Sequence, residues 1–339
     1  MTDQLVGLIR PGVEVWAAGI EMGRELLRKA DACVDAQSPF DRCARVGLPQ
    51  LETEVEVPTY LAFLTTQVKG WDGANFQALQ RIIPSLRPAF ESLDYKLPEK
   101  VWLVQTTGRE EAAAAYTKHH DTIVLPANFV ASVQPEDKGG DPLHPGFTDG
   151  FLAGVITHEF FHLLSKNNPE HRKTWYQTVA YQELSNELHL PDDAIWWQHG
   201  ETSYSMAELK ITNPDAPLIN VGVMLPPSEG AEEVLMAPAL ISSEPYAGGP
   251  FFETLQWIFL EVEDNGAHAQ IRRDENGAPV YHKAGDVMAA YREKIGYYLS
   301  GELFHPDELL AQSFAKAATQ FQPPLLEKIA KGIWPQWPV

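Results

Sequence analysis

Cysteine is nearly absent: Cys33 and Cys43 are the only two in 339 residues. Two thiols in a chain of this length make no disulfide framework, and no CxxC pair is present. They read as partly buried thiols in a reducing compartment. Positive charge is also scarce. There are 26 Lys and Arg against 46 Asp and Glu, for a formal net charge of −20. Nucleic acid and anionic membranes are therefore not expected as partners. No stretch approaches 18 uncharged apolar residues, so no spanning helix is expected. The opening "MTDQLVGLIRPGVEVW" lacks a basic segment leading an apolar one, and Arg10-Pro11-Gly12 interrupt it. No signal peptide is expected, and cytoplasm is the expected location.

What is present is a large apolar content, 44% hydrophobic with 9 Trp, 15 Phe and 11 Tyr, which is enough for a sizeable core. Periodicity predicts an amphipathic helix over 13–33 and helix over 58–92, broken at Gly70 to Gly73 and at Pro84. "KVWLVQTTG" (100–108) and "TIVLP" (122–126) predict strands. The intervening "REEAAAAYTKHH" fits either helix or an edge strand running into His119 and His120. Residues 134–146 predict a loop. "TDGFLAGVITHEFFHLLSKNN" predicts a buried helix capped by Thr148 or Asp149 and ended by Asn167-Asn168-Pro169. Pro169 opens another helix, expected to reach about Leu184. The proline-rich residues 191–250 predict a long, mostly irregular insertion folded over the core. Residues 250–264 predict helix, and 265–283 a loop or hairpin turning at Asn276-Gly277. Helices are expected again over 284–299 and 306–320, the second opened by Pro306. The whole is α+β, with a mainly helical part over 1–98 and a second part over 99–339.

The chemistry concentrates in "THEFFHLLS" (157–165). His158 and His162 are four residues apart, so on a helix they share a face and can both reach one Zn²⁺. Glu159 then points beside the metal, where it can take a proton from an attacking water. Imidazoles and a carboxylate on a buried helix are costly without a partner, which favours a metal over two histidines satisfied by carbonyls. A catalytic zinc needs a third protein ligand and an open fourth position. The extended HExxHxxGxxH pattern is absent, because Ser165 and Asn168 occupy its later positions. Two carboxylates are alternatives: Glu183 in "YQELSNEL" and Glu308 in "FHPDELLAQSF".

Three blocks, at 157–165, "ITNPDAPL" (211–218) and "HPDELLAQSF" (305–314), together resemble a group of bacterial zincin-like metallopeptidases of the gluzincin type. The resemblance implies a zincin-like core, in which a small mixed sheet supports the HExxH helix and a later helix brings the third ligand. It carries zinc onto His158, His162 and Glu308, with Glu159 as general base. Gln312 stands where that pattern has an aspartate. Tyr291, Tyr297 and Tyr298 precede Glu308, and Tyr298 is the candidate donor to a developing oxyanion. His119 and His120 lie where a substrate strand would pair.

The expectation is a zinc-dependent hydrolase of peptide or amide bonds acting on a peptide or a small amide. The alternatives are a zinc hydrolase of another small molecule and a non-catalytic zinc protein. The acidic clusters at 232–233 and 261–264 read as solvated faces.

Overall fold

The computed structural model describes residues 2–128, 149–295, 304–319 and 328–329. In chain order they form strands β1 (Gln4–Arg10) and β2 (Val13–Ala17), then helices α1 (Ile20–Arg28), α2 (Ala32–Ala36), α3 (Pro39–Val46) and α4 (Val57–Gln67). Strand β3 (Val68–Lys69), helix α5 (Gly73–Glu91) and strands β4 (Lys100–Thr106), β5 (Tyr116–Lys118) and β6 (Thr122–Pro126) follow. Helices α6 (Asp149–Asn167) and α7 (Pro169–Gln177) lead to β7 (Tyr181–Leu188), β8 (Ile195–His199) and β9 (Thr202–Ser205). Next come β10 (Lys210–Ile211), β11 (Ile219–Leu225), β12 (Val234–Ser242), β13 (Leu255–Asp264), β14 (Ala269–Ile271) and β15 (Tyr281–Lys283). Helices α8 (Ala284–Ile295) and α9 (Pro306–Thr319) complete a mixed α+β chain. The loop expected over 134–146 lies outside the described residues. Among those described, no helix is long and apolar enough to cross a membrane.

Contacts divide the chain into two interleaved units. The first holds Met1–Asp31, Pro58–Arg172 and Leu310–Pro335; the second holds Ala32–Val57, Lys173–Leu309 and Gln336–Val339. The expected boundary at residue 98 does not separate them, because β1, β2 and α5 share a unit with β4 and β6.

In the first unit the strand order is β1-β2-β4-β6-β5, with β3 on β4. β2, β4 and β6 run parallel, and β5 closes one edge antiparallel to β6. The helix expected over 13–33 is a strand followed by a shorter helix. "VEVWA" alternates, burying Val13, Val15 and Ala17, and that period of two is a strand's. The break expected at Pro84 is also absent. Ile82, Ile83, Leu86 and Phe90 are buried on both sides of it, and their burial offsets the roughly 3 kcal/mol that an internal proline costs.

Helix α6 packs against α5 and against β5 and β6. Phe160 meets Phe90 at 5.1 Å between ring centres, Phe90 meets Phe314 at 5.4 Å, and Phe161 meets Phe314 at 6.2 Å. The two phenylalanines inside the HExxH block therefore bury the helix, and the block's polar residues project from its remaining face.

The second unit is built on a sheet ordered β14-β13-β12-β11-β7, with β10 on β12, β15 on β13, and a separate β8–β9 hairpin. This overturns three expectations. Residues 191–250 hold five strands rather than an irregular cover. Residues 255–264 are strand β13, because the buried Ile258-Phe259-Leu260 lies in a strand flanked on both edges, where both faces are apolar. The helix from Pro169 stops at Gln177, and "YQELSNEL" is strand β7. Glu261 is not a solvated residue either. It is 5% exposed and accepts from Arg272 at 2.6 Å and from His282 at 2.8 Å. The turn at Asn276-Gly277 is present, with Gly277 at φ 83.

Candidate active site

The HExxH block lies on α6, in the first unit. The His158 and His162 rings sit 4.8 Å apart, centre to centre. They offer ring nitrogens within 4.8 Å of each other, and Glu159 offers a carboxylate oxygen within the same distance of His162. His162 is fully buried and Glu159 is 4% exposed.

The C-terminal end of the helix is held from two sides. Asn168 donates to the carbonyls of Leu164 and Lys96, each at 2.8 Å, and accepts from the Lys96 amide at 2.9 Å. Lys166 donates to the Thr117 hydroxyl at 2.6 Å, on strand β5. Asn168 and Ser165, which replace the extended-motif positions, thus have structural work: Ser165 accepts from Arg172 at 3.0 Å.

A cavity of about 540 Å³ opens beside the motif, lined in part by Gly154, His158, Glu159, Gln312 and Lys316. Ala114 and Ala115 form its rim at the start of β5. The segment leading there is strained: Ala112 and Ala113 have φ of 48 and 69, and Gly108 has φ of 80. Only glycine suits position 108, since a Cβ there would meet Pro126 Cβ at 2.9 Å. Glu110 anchors this segment from within, 1% exposed. Burial pushes its carboxyl up from the usual range, against weaker opposite pulls from the Thr106 hydroxyl and the amides of Glu110 and Gly108. Neither carboxyl oxygen closes a well-formed hydrogen bond.

Glu308 lies in the first turn of α9, in the second unit. That turn is fixed by side chains of its own unit. Tyr181 donates to the Phe304 carbonyl at 2.6 Å, and Tyr176 donates to Asp307 at 2.7 Å. The His305 ring accepts the Asp307 amide at 3.2 Å, capping the helix. Asn213 donates to Glu308 Oε1 at 2.8 Å. The Asn213 loop is pinned in turn by a buried ion pair on α3. Asp41 accepts the Thr212 amide at 3.0 Å, and its partner Arg45 donates to the Thr212 carbonyl at 2.7 Å. Glu308 stands one helical turn before Gln312 in the sequence of α9.

Of the expected site residues, His158 and Glu159 share the cavity, and His162 sits beside His158. Tyr297 and Tyr298 lie outside the described residues. Tyr291 is fully buried, 2.9 Å from the Tyr181 hydroxyl, where desolvation raises its phenol. His119 turns away at the far end of β5, where its ring donates to the Leu26 carbonyl at 3.3 Å. Glu183 is an exposed strand residue opposite Val221, not the helical ligand that its spacing suggested. Asn213 was missed as the partner of Glu308. Its block was noticed, but no sequence spacing links two residues 95 positions apart. Compared with known proteins, the chain matches no protein-family model, no curated protein and no solved structure.

Proposed function

We propose that this protein is a zinc-dependent hydrolase of peptide or amide bonds, with a zincin-like first unit. The observation that carries the reading is the pair His158 and His162 on one helix face, with the buried Glu159 carboxylate between them in sequence and a cavity at hand. His158, His162 and Glu308 would hold the ion, and the donor set fits: two imidazoles and a carboxylate are ligands that zinc accepts at a catalytic centre. Bound there, zinc supplies Lewis-acid polarisation and an acidified water.

The chain's own residues do the remaining work. Glu159 takes a proton from the attacking water and returns it to the departing nitrogen, so one carboxylate serves both halves of the reaction. Asn213 donates to Glu308, and the ties at the end of α6 hold the helix that carries both histidines. The 540 Å³ cavity is of a size for a short peptide segment or a small amide.

The test separates binding from chemistry. Glu159→Gln should keep about one zinc per chain while peptide or amide hydrolysis falls roughly 10²- to 10⁴-fold. His158→Ala and His162→Ala should lose the metal itself. Elemental analysis finding no zinc in unchelated wild-type protein would sink the proposal, as would near-normal turnover by Glu159→Gln.

A further inference from the structure

The cavity wall is chemically lopsided. On α6, beyond His158 and Glu159, it is small or apolar, including Gly154, Val155 and the 40%-exposed Phe151. On α9 it is polar, carrying Gln312, Lys316 and Thr319. Among the described lining residues Lys316 is the only Lys or Arg, in a chain of net charge −20. In this acidic chain the Lys316 ammonium places a positive charge at the cleft, and fields are focused in clefts. We propose that Lys316 is a specificity-determining residue which selects substrates carrying a carboxylate to one side of the scissile bond. This rests on the hydrolase reading and names its substrate class.

Gln312 and Lys316 lie one helical turn apart on α9 and line the same cavity as His158 and Glu159, so the carboxylate belongs within a few residues of the bond that is cut. A side-chain carboxylate and a free C-terminus present the same chemistry at that distance. The small α6 wall leaves room for the intervening side chains.

The experiment uses a quenched fluorogenic peptide of neutral residues and the zinc-loaded protein. A single Glu is moved stepwise along the peptide on both sides of the cleavage point. Each peptide is made as the free acid and as the C-terminal amide, which distinguishes an internal acid from a terminus. The wild type should favour the correctly spaced carboxylate by roughly 2- to 5-fold in kcat/KM, in the range of an exposed ion pair. Lys316→Glu should reverse the preference toward a lysine-bearing peptide, and Lys316→Gln should abolish it. Lys316 is exposed, so neither change is expected to unfold the protein. Equal rates for acidic and neutral peptides in the wild type, or an unchanged ratio in Lys316→Glu, would overturn the proposal while leaving the hydrolase reading intact. If no peptide is cut, fluorescence anisotropy of the labelled peptides on Glu159→Gln decides instead. A carboxylate preference that Lys316→Glu removes supports the subsite although the hydrolase reading fails. Equal binding overturns the subsite.

Discussion

Asn213 and Glu308 meet through one hydrogen bond of 2.8 Å, and a great deal of structure serves that contact. Asp41 caps α3, binds the Thr212 amide and pairs with Arg45, all while fully buried. Removing Arg45 would leave that carboxylate buried without its charge partner, so Arg45→Ala should cost about 3–5 kcal/mol in chemical denaturation. Removing Asn213 is gentler on the fold. Asn213→Ala should weaken zinc roughly 10- to 100-fold in competition with a chelator, as loss of a partner behind a ligand does. Glu308→Ala should weaken it further, and Glu183→Ala should leave it unchanged; the reverse order would reassign the third ligand. Glu110 gives a pH dependence of definite sign. Its folded pKa is raised, so the folded chain binds that proton more tightly than the unfolded one. Its contribution is full below the ordinary glutamate pKa and is lost as pH rises through the folded value. Glu110→Gln should therefore flatten the fall in stability over that window. Parallel pH–stability curves for the two proteins would remove Glu110 as the cause.

Elements differ in how plainly they announce themselves. Helix α6 was legible from Asp149 to Asn167, because its apolar run is long and ends in Asn-Asn-Pro. β4 and β6 were legible from their β-branched residues and flanking turns. β7 misled for a physical reason. Tyr181, Leu184 and Leu188 are buried at helical spacings, yet the segment is extended. Its pairing explains this: between the Glu183–Val221 and Leu188–Ile219 pairs, β7 spends five steps where β11 spends two. A bulge of that size shifts which face each later residue occupies, so the period of two is lost. β13 misled differently, because a strand with two buried faces has no alternation to read. β2 carries its alternation over only five residues, and the apolar spacings that continue into α1 mask it. The candidate site divides likewise: local spacing revealed the HExxH group, whereas the partner of Glu308 lies 95 residues away along the chain. At this scale the rim before β5 is also testable. Ala113 sits at φ 69, a region costing an L-residue about 1–2 kcal/mol. Ala113→Gly should raise stability by up to about 1 kcal/mol in urea unfolding. A loss would mean that its methyl packing outweighs the strain.

Across the whole molecule, charge and chain order matter most. At −20 the folded chain repels itself, and exposed pairs such as Arg24–Glu21 and Lys29–Glu25 offset little of that. Raising sodium chloride from about 0.02 to 0.5 M should therefore raise Tm by a few degrees, since screening shortens the reach of the repulsion. A fall in Tm would show that attractive pairs dominate. The interleaving of the two units has a consequence for how the protein is made. The first unit needs β1 and β2 from the first 31 residues, and it also needs the part of α9 that begins at Leu310. During synthesis at about 5–20 residues per second, the sheet strands through β6 leave the ribosome roughly 10 to 40 s before that helix. The wall bearing Gln312 and Lys316 is thus the last part of the cavity to be translated, and a nascent or prematurely terminated chain stands without it.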